Sequence, residues 1–582
     1  MDADLRAALQ LIALLSLLLI LRALWHLVWR PHAVTLSFAR QGIQGPAYRF
    51  LTGSMLELKR LHVAGRKGVV LDAGSHDIIP ALLPHMQKWV ADYGRTFLFW
   101  IGPVPAIFSI DITLVKQVLT ERTGIFLKDF MIPALKSLFG NGLILSNGDY
   151  WKQHRKVVLP AFSHEKLKTM SAVTLEVTEQ MTQRWCDQVQ KSSVHAAEID
   201  MAGAFGDLTT EIIGRVAFGT SHREAGDILL TLHKMQKICT SVMLKPPILW
   251  YLPIWSNLRV RHLNKLLTSK IKQIMKNRVA AKDLDCSGYG DDLLGLLVEA
   301  WLPGSHGSRG TLTTHEVIEE CKTFFGAGQE TTANLLVWAI YLLSVHPEWQ
   351  VKVRDEVIQE CCIDSEEVPN NDSAATKLQL LQMVLLETSR LYPPVMYIQR
   401  KTAADVMLTD INLPQGTVIS IPIIMLNRDK EIWGPDADMF NPLRFKNCIT
   451  SASRDPNTLL SFSLGPRACI GKNFSLKEAQ IVMAMILRKF SFTLSNKYVH
   501  KPKFLVTLTP KFGMPIILRK LRPPLERRNF TGITQEFHRN QFNFTGISQE
   551  TGMFPPFQRR PTWVTKVSKS FRSIKLSPSY DA

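Results

Sequence analysis

Cysteine is scarce in this sequence, with eight residues among 582, and no two of them form a C-x-x-C pair. A zinc ribbon, a thioredoxin-like redox site and a disulfide scaffold are therefore not supported, and a reducing compartment is favoured. The chain also has no G-x-G-x-x-G segment, so it is not predicted to bind a flavin or nicotinamide itself. The net charge is +19, but helix-turn-helix, zinc-finger and RNA-binding signatures are missing. Nucleic acid is therefore not a predicted partner.

Long Gly/Ser linkers are also missing between residues 31 and 520, which favours one large, helix-rich domain. A nearly uninterrupted apolar run covers Ala7 to Trp29. As a helix this run reaches roughly 34 Å, enough to cross a bilayer core of roughly 30 Å. Basic residues follow it, so we expect the remainder in the cytosol; a cleaved signal peptide is the alternative. We predict an anchor over 1–30, a main domain over 31–520 and a basic, disordered extension over 521–582.

The most specific pattern is the stretch F-S-L-G-P-R-A-C-I-G, from Phe462 to Gly471. A thiolate that ligates iron has to be held in a tight loop, shielded from water and faced by hydrogen-bond donors. Gly465 permits a sharp bend, and Gly471 lets the following helix approach a flat cofactor. Arg467 supplies a cation for a cofactor carboxylate, and Phe462 an apolar wall beside the sulfur. An isolated cysteine is usually a buried small hydrophobe, but this five-point pattern favours Cys469 as an iron ligand.

The stretch resembles the haem-thiolate loop of the cytochrome P450 superfamily. The segment Ala327 to Thr332, A-G-Q-E-T-T, resembles the oxygen-binding motif of that superfamily. Glu387 and Arg390, spaced as E-x-x-R, together with the later Arg444, resemble its buried network that supports the cysteine loop, and we assign them a structural role.

Three further segments, 40–50, 291–297 and 320–325, are similar to the membrane-bound plant branch that contains cytokinin hydroxylases, gibberellin oxidases and fatty-acid hydroxylases. The resemblance implies a mainly α (α+β) fold, the cytochrome P450 fold. Such a fold has a long central helix over the haem and a small β-rich region, here preceded by one transmembrane helix.

A capping box from Thr313 to Glu316 predicts the start of this central helix, which continues for more than thirty residues. Gly326 and Gly328 weaken it by about 1 kcal/mol each relative to alanine. Either they permit close packing against another helix, or they permit a local opening that holds oxygen and water over the metal. For the second interpretation, the resemblance implies that Thr331 is a hydrogen-bond donor and Glu330 carries protons from solvent.

The resemblance also implies haem b as the cofactor. By pattern alone, W-x-x-x-R is a surface cation over an aromatic ring, and the residues before Arg400 are strand core. Asn427 stands where many relatives have histidine, which predicts a weaker contact with a haem carboxylate. The cofactor contacts that the resemblance implies are Trp151, Arg155, Arg400, Phe462, Arg467, Cys469 and Gly471, with Cys469 as the metal ligand.

The implied function is hydroxylation of a small lipophilic substrate, an isoprenoid hormone such as a cytokinin or gibberellin, or a fatty acid. Electrons would come from an NADPH–cytochrome P450 reductase that docks on a basic face with Lys152, Lys156 and Lys472, at the endoplasmic reticulum membrane. An apolar segment from Leu244 is expected to dip into lipid headgroups. The alternatives are a reductase-independent isomerase or dehydratase acting on a peroxide, and a non-catalytic haem-binding protein. The predicted substrate contacts are Phe126, Phe130, Phe324, Ala327, Val395 and Phe512.

Overall fold

Helices account for most of the architecture. The computed structural model describes residues 2–66, 71–129, 133–243, 245, 247–285, 289–302, 311–360 and 377–521. Within these ranges, one hydrophobic core is surrounded by helices, and the strands form four small sheets. The predicted mainly α fold with a small β-rich region is therefore confirmed. The basic extension begins beyond Leu521 and lies outside the described residues, so its predicted disorder stays a prediction.

The helices differ widely in length, from single turns to more than thirty residues. In the first half of the chain they are α1 (Asp2–Leu24), α2 (Arg30–Arg40), α3 (Met55–Arg66), α4 (Ile79–Leu82), α5 (Pro84–Tyr93), α6 (Ile112–Thr120), α7 (Pro133–Phe139), α8 (Gly148–Val158), α9 (His164–Lys191), α10 (Met201–Phe218), α11 (His222–Met243) and α12 (Trp255–Asp285). In the second half they are α13 (Leu293–Trp301), α14 (Thr314–Val345), α15 (Pro347–Glu360), α16 (Gln379–Leu391), α17 (Ile423–Leu426), α18 (Lys430–Trp433) and α19 (Lys472–Lys489).

The sheets gather strands from distant parts of the chain. The strands are β1 (Thr96–Ile101), β2 (Val104–Ser109), β3 (Phe126–Leu127), β4 (Ala196–Asp200), β5 (Tyr397–Thr402), β6 (Val406–Leu408), β7 (Ile411–Leu413), β8 (Val418–Pro422), β9 (Phe490–Leu494), β10 (Pro502–Phe504), β11 (Leu508–Pro510) and β12 (Pro515–Lys520). The largest sheet has the order β1-β2-β8-β5-β3, a second has the order β4-β12-β9, and two hairpins pair β6 with β7 and β10 with β11.

An apolar helix leads from the amino terminus into the domain. Asp4–Arg40 is helical over 37 residues, with a π-helical turn at Trp25–Trp29, and it is long and apolar enough to cross a membrane. Its last part, α2, buries Val34 and Phe38 against the domain. The Tyr48 hydroxyl also donates a hydrogen bond to the Leu27 carbonyl at 2.8 Å. The end of the predicted anchor is therefore packed onto the body of the protein.

Helix α14 is the predicted central helix. The Thr313 side chain accepts a hydrogen bond from the Glu316 amide while the Glu316 carboxylate accepts one from the Thr313 amide, so the predicted capping box is confirmed. The helix then continues without interruption to Val345, and its residues 317–325 and 332–343 are buried. This helix passes through the core, and its middle is where the candidate site lies.

Candidate active site

The cysteine loop contains two residues with a positive φ angle, Gly465 at +71° and Ser463 at +60°. A Cβ atom on Gly465 would lie 2.3 Å from the Leu119 carbonyl oxygen, so only glycine fits this bend. The Cys469 amide donates to the Phe462 carbonyl at 2.9 Å and closes the loop. The predicted role of Gly465 is confirmed by this geometry.

The Cys469 side chain is accessible and at the same time has protein atoms on many sides. It keeps accessible surface, yet burial among protein atoms raises the pKa of its thiol. The Gly471 amide, which donates a hydrogen bond to the sulfur, and the cation of Lys128 oppose that rise because they stabilise the thiolate. The sulfur therefore combines access for a ligand with donors that favour its anionic form.

The indole ring of Trp151 lies close to two arginine guanidinium groups. The Arg467 guanidinium carbon lies 4.2 Å from the centre of the indole ring, and that of Arg155 lies 5.5 Å away. One Arg467 nitrogen, Nη2, donates to the Ser146 carbonyl at 2.7 Å. The other, Nη1, is buried and has no hydrogen-bond partner among the described residues. The sequence-predicted residues Trp151, Arg155 and Arg467 are thus brought together, with one donor pair left for a ligand.

Arg400 and Lys128 add two more cations from the sheet. Burial lowers the pKa of Arg400 to about 10. The pKa of Arg467 is also lowered to about 10, by burial and by repulsion from the nearby Arg400 and Arg155. Burial, followed by repulsion from Arg400 and Arg467, lowers the pKa of Lys128. None of these cations pairs with a carboxylate in the described part of the chain. Buried cations without counter-charges are suited to an anionic ligand.

Lys128 is a residue that the sequence analysis missed. It directly follows β3, whose Leu127 pairs with Lys401 of β5. This register places Lys128 beside Arg400, although the two residues are far apart in the chain. Only the strand pairing gives that signal, because a lysine after a two-residue apolar strand is otherwise unremarkable.

The middle of α14 contacts the helix that follows the cysteine loop. The Thr332 hydroxyl lies 3.0 Å from that of Ser475, in the first part of α19. Residues 326–328, 330 and 331 keep accessible surface, whereas their helical neighbours on both sides are buried. The Thr331 hydroxyl donates to the Ala327 carbonyl at 2.7 Å. Glu330 and Thr331 are therefore placed together on an accessible stretch inside an otherwise buried helix.

The two glycines of this stretch have different explanations. A Cβ atom on Gly328 would lie 2.8 Å from the Cδ1 atom of Ile213 in α10, whereas one on Gly326 would meet nothing within 4 Å. Close helix packing therefore accounts for Gly328. The expected local opening is not a break, since α14 is continuous through both positions.

Glu387 and Arg390 form a fully buried ion pair with two hydrogen bonds of 2.7 Å. Arg390 also donates to the carbonyls of Asn427, Ala437 and Met439. Arg444 lies farther away, with its Nε atom 3.6 Å from the Glu387 carboxylate. The three residues are brought together as predicted, but Arg444 is the weaker partner.

Asn427 connects this network to the cysteine loop. Its side-chain nitrogen donates to the Arg390 carbonyl and the Ser461 hydroxyl, both at 3.1 Å. The Ser461 hydroxyl in turn donates to the Ser389 carbonyl at 2.6 Å. The side-chain nitrogen of Asn427 is therefore engaged with protein groups beside the loop, and the weaker contact with a haem carboxylate stays a prediction.

The residues predicted to contact the substrate are in different environments. Phe126 and Phe324 are buried, and Phe324 stacks on Phe162 with ring centres 5.9 Å apart. Ala327 lies on the accessible stretch of α14, and Val395 is 38% exposed. Phe130 lies outside the described residues.

Phe512 is not brought to the central helix. It is 59% exposed, in the turn between β11 and β12, and the Lys511 ammonium lies 5.0 Å from its ring centre. The part of the carboxyl-terminal region that contacts α14 comes earlier: Asn334 donates to the Thr507 hydroxyl and Trp338 to the Leu508 carbonyl. The apolar character of Phe512 did not indicate that its side chain is exposed.

Comparisons with known proteins agree with this geometry. The model of the cytochrome P450 family matches residues 76–517. The chain is 39% identical over 521 residues to "Cytochrome P450 709B1" of Arabidopsis thaliana, which covers 88% of this chain and 98% of that relative. It is 37% identical over 523 residues to "Cytochrome P450 734A6" of Oryza sativa subsp. japonica, with 88% and 95% covered. It is also 36% identical over 508 residues to "Secologanin synthase 2" of Catharanthus roseus, with 86% and 94% covered.

Proposed function

Because the chain belongs to the cytochrome P450 family, we propose that it is a membrane-anchored monooxygenase that hydroxylates a small lipophilic substrate. The family uses haem b, with electrons from NADPH through a reductase, and incorporates oxygen from O2. The observation that carries the proposal for this chain is the accessible Cys469 sulfur, close to buried cations that have no carboxylate partner among the described residues.

These residues fit a haem. Cys469 would ligate the iron as a thiolate, and the two propionates would satisfy Arg467 Nη1 and its neighbours Arg155, Arg400 and Lys128. Trp151 orients the arginines through its ring. When bound in this way, the haem supplies the activation of O2, so that two electrons and two protons place one oxygen atom in a C–H bond and the other in water.

Glu330 and Thr331 are the residues that we propose for proton delivery. Thr331 Oγ1 donates its hydrogen to Ala327, so its lone pairs are free to accept a hydrogen bond from water. Glu330 is the adjacent residue of the helix and carries an ionisable carboxyl, which can pass a proton from solvent to that water. The half-buried position of both side chains supports this role, because a proton relay needs access from both ends.

We propose that the substrate enters from a lipid bilayer. Tyr251, Leu252 and Trp255 are 68%, 44% and 76% exposed before and at the start of α12, so they form an apolar surface suited to lipid headgroups. With the anchor helix, they favour the endoplasmic reticulum membrane as the location, with the catalytic domain in the cytosol. The exposed Lys152 and Lys156 support a reductase contact on the basic face predicted from the sequence.

The test uses the full chain in microsomes with an NADPH reductase. Cytokinins, gibberellins and fatty acids are added one at a time; one class should change the haem spin state and yield a hydroxylated product that depends on NADPH. The secologanin synthase carries a product in its name, which adds the formation of secologanin to the reactions to be tested. Cys469→Ala should abolish both signals. Turnover of a fatty-acid hydroperoxide without the reductase would instead support the isomerase alternative.

A pair of variants tests the substrate side of α14. Ala327→Phe fills the accessible stretch and should lower the affinity for the substrate at least tenfold while the haem content stays unchanged. Phe512→Ala is the matched control and should leave affinity as it is, because Phe512 is exposed on a turn. Equal effects of the two variants would contradict the assignment of this stretch.

A further inference from the structure

Gln236 of α11 holds the carboxylate of Glu330. Its side-chain nitrogen Nε2 donates to both carboxylate oxygens, at 3.1 Å and 3.0 Å. Gln236 is buried, so water does not compete strongly for these bonds. An amide nitrogen donates and does not accept, so this orientation matches an ionised carboxylate; a protonated one would be met by the amide oxygen after a rotation of the side chain. Gln236 can therefore serve Glu330 in both of its protonation states.

The same face of α11 also reaches the helix that borders the predicted substrate contacts. The Cys239 thiol, three residues after Gln236, donates to the Ala134 carbonyl of α7 at 3.2 Å. Residues three apart on a helix lie on one face. Helix α7 begins at Pro133, seven residues after Phe126, which is one of the predicted substrate contacts. One face of α11 therefore contacts both α7 and the proposed proton donor.

We propose that Gln236 is a positioning residue that fixes Glu330 for proton delivery and links it to α7 through α11. This inference rests on the proposed role of Glu330. Without the amide, the Glu330 side chain would sample several rotamers, and fewer protons would reach bound oxygen in time. A larger share of the O2 is then reduced only to hydrogen peroxide, which takes up two electrons and two protons. A smaller share is reduced to two molecules of water, which take up four electrons and four protons.

The main test needs no organic substrate. The full chain and its reductase are placed in nanodiscs, and hydrogen peroxide formed per NADPH consumed is measured in H2O and D2O. Gln236→Met keeps the side-chain length but removes the donor, and should raise the peroxide yield about threefold and increase the solvent isotope effect. Gln329→Met is the matched control. Its amide is equally buried one position before Glu330 and donates to the Gly206 carbonyl of α10, so both measurements should stay as in the wild type.

A second measurement does not depend on turnover. The carboxylate stretching band of Glu330 is identified in infrared difference spectra by its loss in Glu330→Gln. Gln236→Met should shift this band, because two hydrogen bonds to the carboxylate are removed, and Gln329→Met should not. A merely structural role of Gln236 would not move this band.

The outcomes separate the two proposals. If Gln236→Met leaves the peroxide yield, the isotope effect and the band unchanged while Glu330→Gln alters the yield, the role of Gln236 is refuted and that of Glu330 stands. If Glu330→Gln itself leaves the yield unchanged, the proton relay fails and the positioning role fails with it. Equal changes in Gln236→Met and Gln329→Met would indicate a general loss of helix packing and also overturn the inference.

Discussion

Replacing Arg390 by lysine is expected to destabilise the protein far more than the same replacement at Arg444. The Arg390 guanidinium makes five hydrogen bonds, two to Glu387 and three to backbone carbonyls. A lysine ammonium is a single point charge and cannot reach all five of these acceptors at once. Arg444 makes its short ion pair, at 2.8 Å, with Asp436, which is 37% exposed, and lies 3.6 Å from Glu387. Its loss therefore leaves the buried Glu387 still paired.

The expected loss of stability follows from the number of acceptors that each replacement leaves without a hydrogen-bond donor. A lysine has three N–H donors, so at Arg390 at least two of the five acceptors lose their partner. Each buried acceptor that is left without a hydrogen bond costs about 1–3 kcal/mol. Removing one partner of a buried ion pair completely costs about 3–5 kcal/mol. We expect Arg390→Lys to lose about 3–5 kcal/mol, a large part of the roughly 5–15 kcal/mol that stabilises a typical domain. Arg444 makes four hydrogen bonds, two to the Asp436 carboxylate and two to backbone carbonyls, so Arg444→Lys leaves at least one acceptor without a partner, and we expect about 1–3 kcal/mol.

The assay is urea unfolding of the full chain in detergent, followed by tryptophan fluorescence, together with the absorption band of the reduced, carbon-monoxide-bound form. Arg390→Lys should shift the unfolding midpoint strongly and lose most of the band, and Arg444→Lys should retain most of both. If the two variants lost equal stability, or if Arg444→Lys lost more, the ranking drawn from the 2.7 Å and 3.6 Å distances would be wrong.

Three further predictions concern single residues. Lys128→Met removes a cation that is repelled by its neighbours, so it should raise the melting temperature of the haem-free protein and weaken haem binding in a titration; a change of both in the same direction would contradict the cation assignment. Burial raises the pKa of Glu478 to about 8 from 4.5, so the folded protein keeps a proton that the unfolded chain releases. The stability from this proton is complete below pH 4.5 and is lost as the pH rises through 8, about tenfold in the unfolding equilibrium per pH unit, and Glu478→Gln should flatten this slope. Gly465→Ala should prevent formation of the folded loop, whereas Gly471→Ala, whose added Cβ meets only a ring carbon at 3.8 Å, should fold as judged by circular dichroism.

The features that the sequence predicts are those with local determinants. The capping box of Thr313 and Glu316 requires only four consecutive residues, and the helix starts where they place it. The bend at Gly465 likewise depends on a residue type that tolerates a positive φ. Family motifs make further features predictable, because they indicate that Trp151 and Cys469 belong to one site without any argument about packing.

Contacts between distant segments are a different matter. Gln236 lies 94 residues before Glu330, and the apolar spacing of α11 does not distinguish this glutamine from the other polar residues on the helix. Lys128 becomes informative only when β3 pairs with β5. Phe512 shows the opposite error, since an apolar residue in a turn indicates nothing about the direction of its side chain. These positions depend on tertiary structure, which residue type and periodicity do not encode.

The geometry of the cysteine loop follows from the same long-range contacts. Ser461 binds the Ser389 carbonyl of α16, Arg467 binds the Ser146 carbonyl before α8, and Gly465 packs against the Leu119 carbonyl of α6. The loop therefore reaches its shape only when three separate parts of the chain have assembled. That assembly also brings the cations together, which costs free energy until an anionic ligand neutralises them. A ligand that binds only the assembled state stabilises it by mass action. Haem binding and folding are therefore expected to be coupled here, and a variant such as Arg390→Lys should lose its haem because it loses the fold rather than because it loses a ligand.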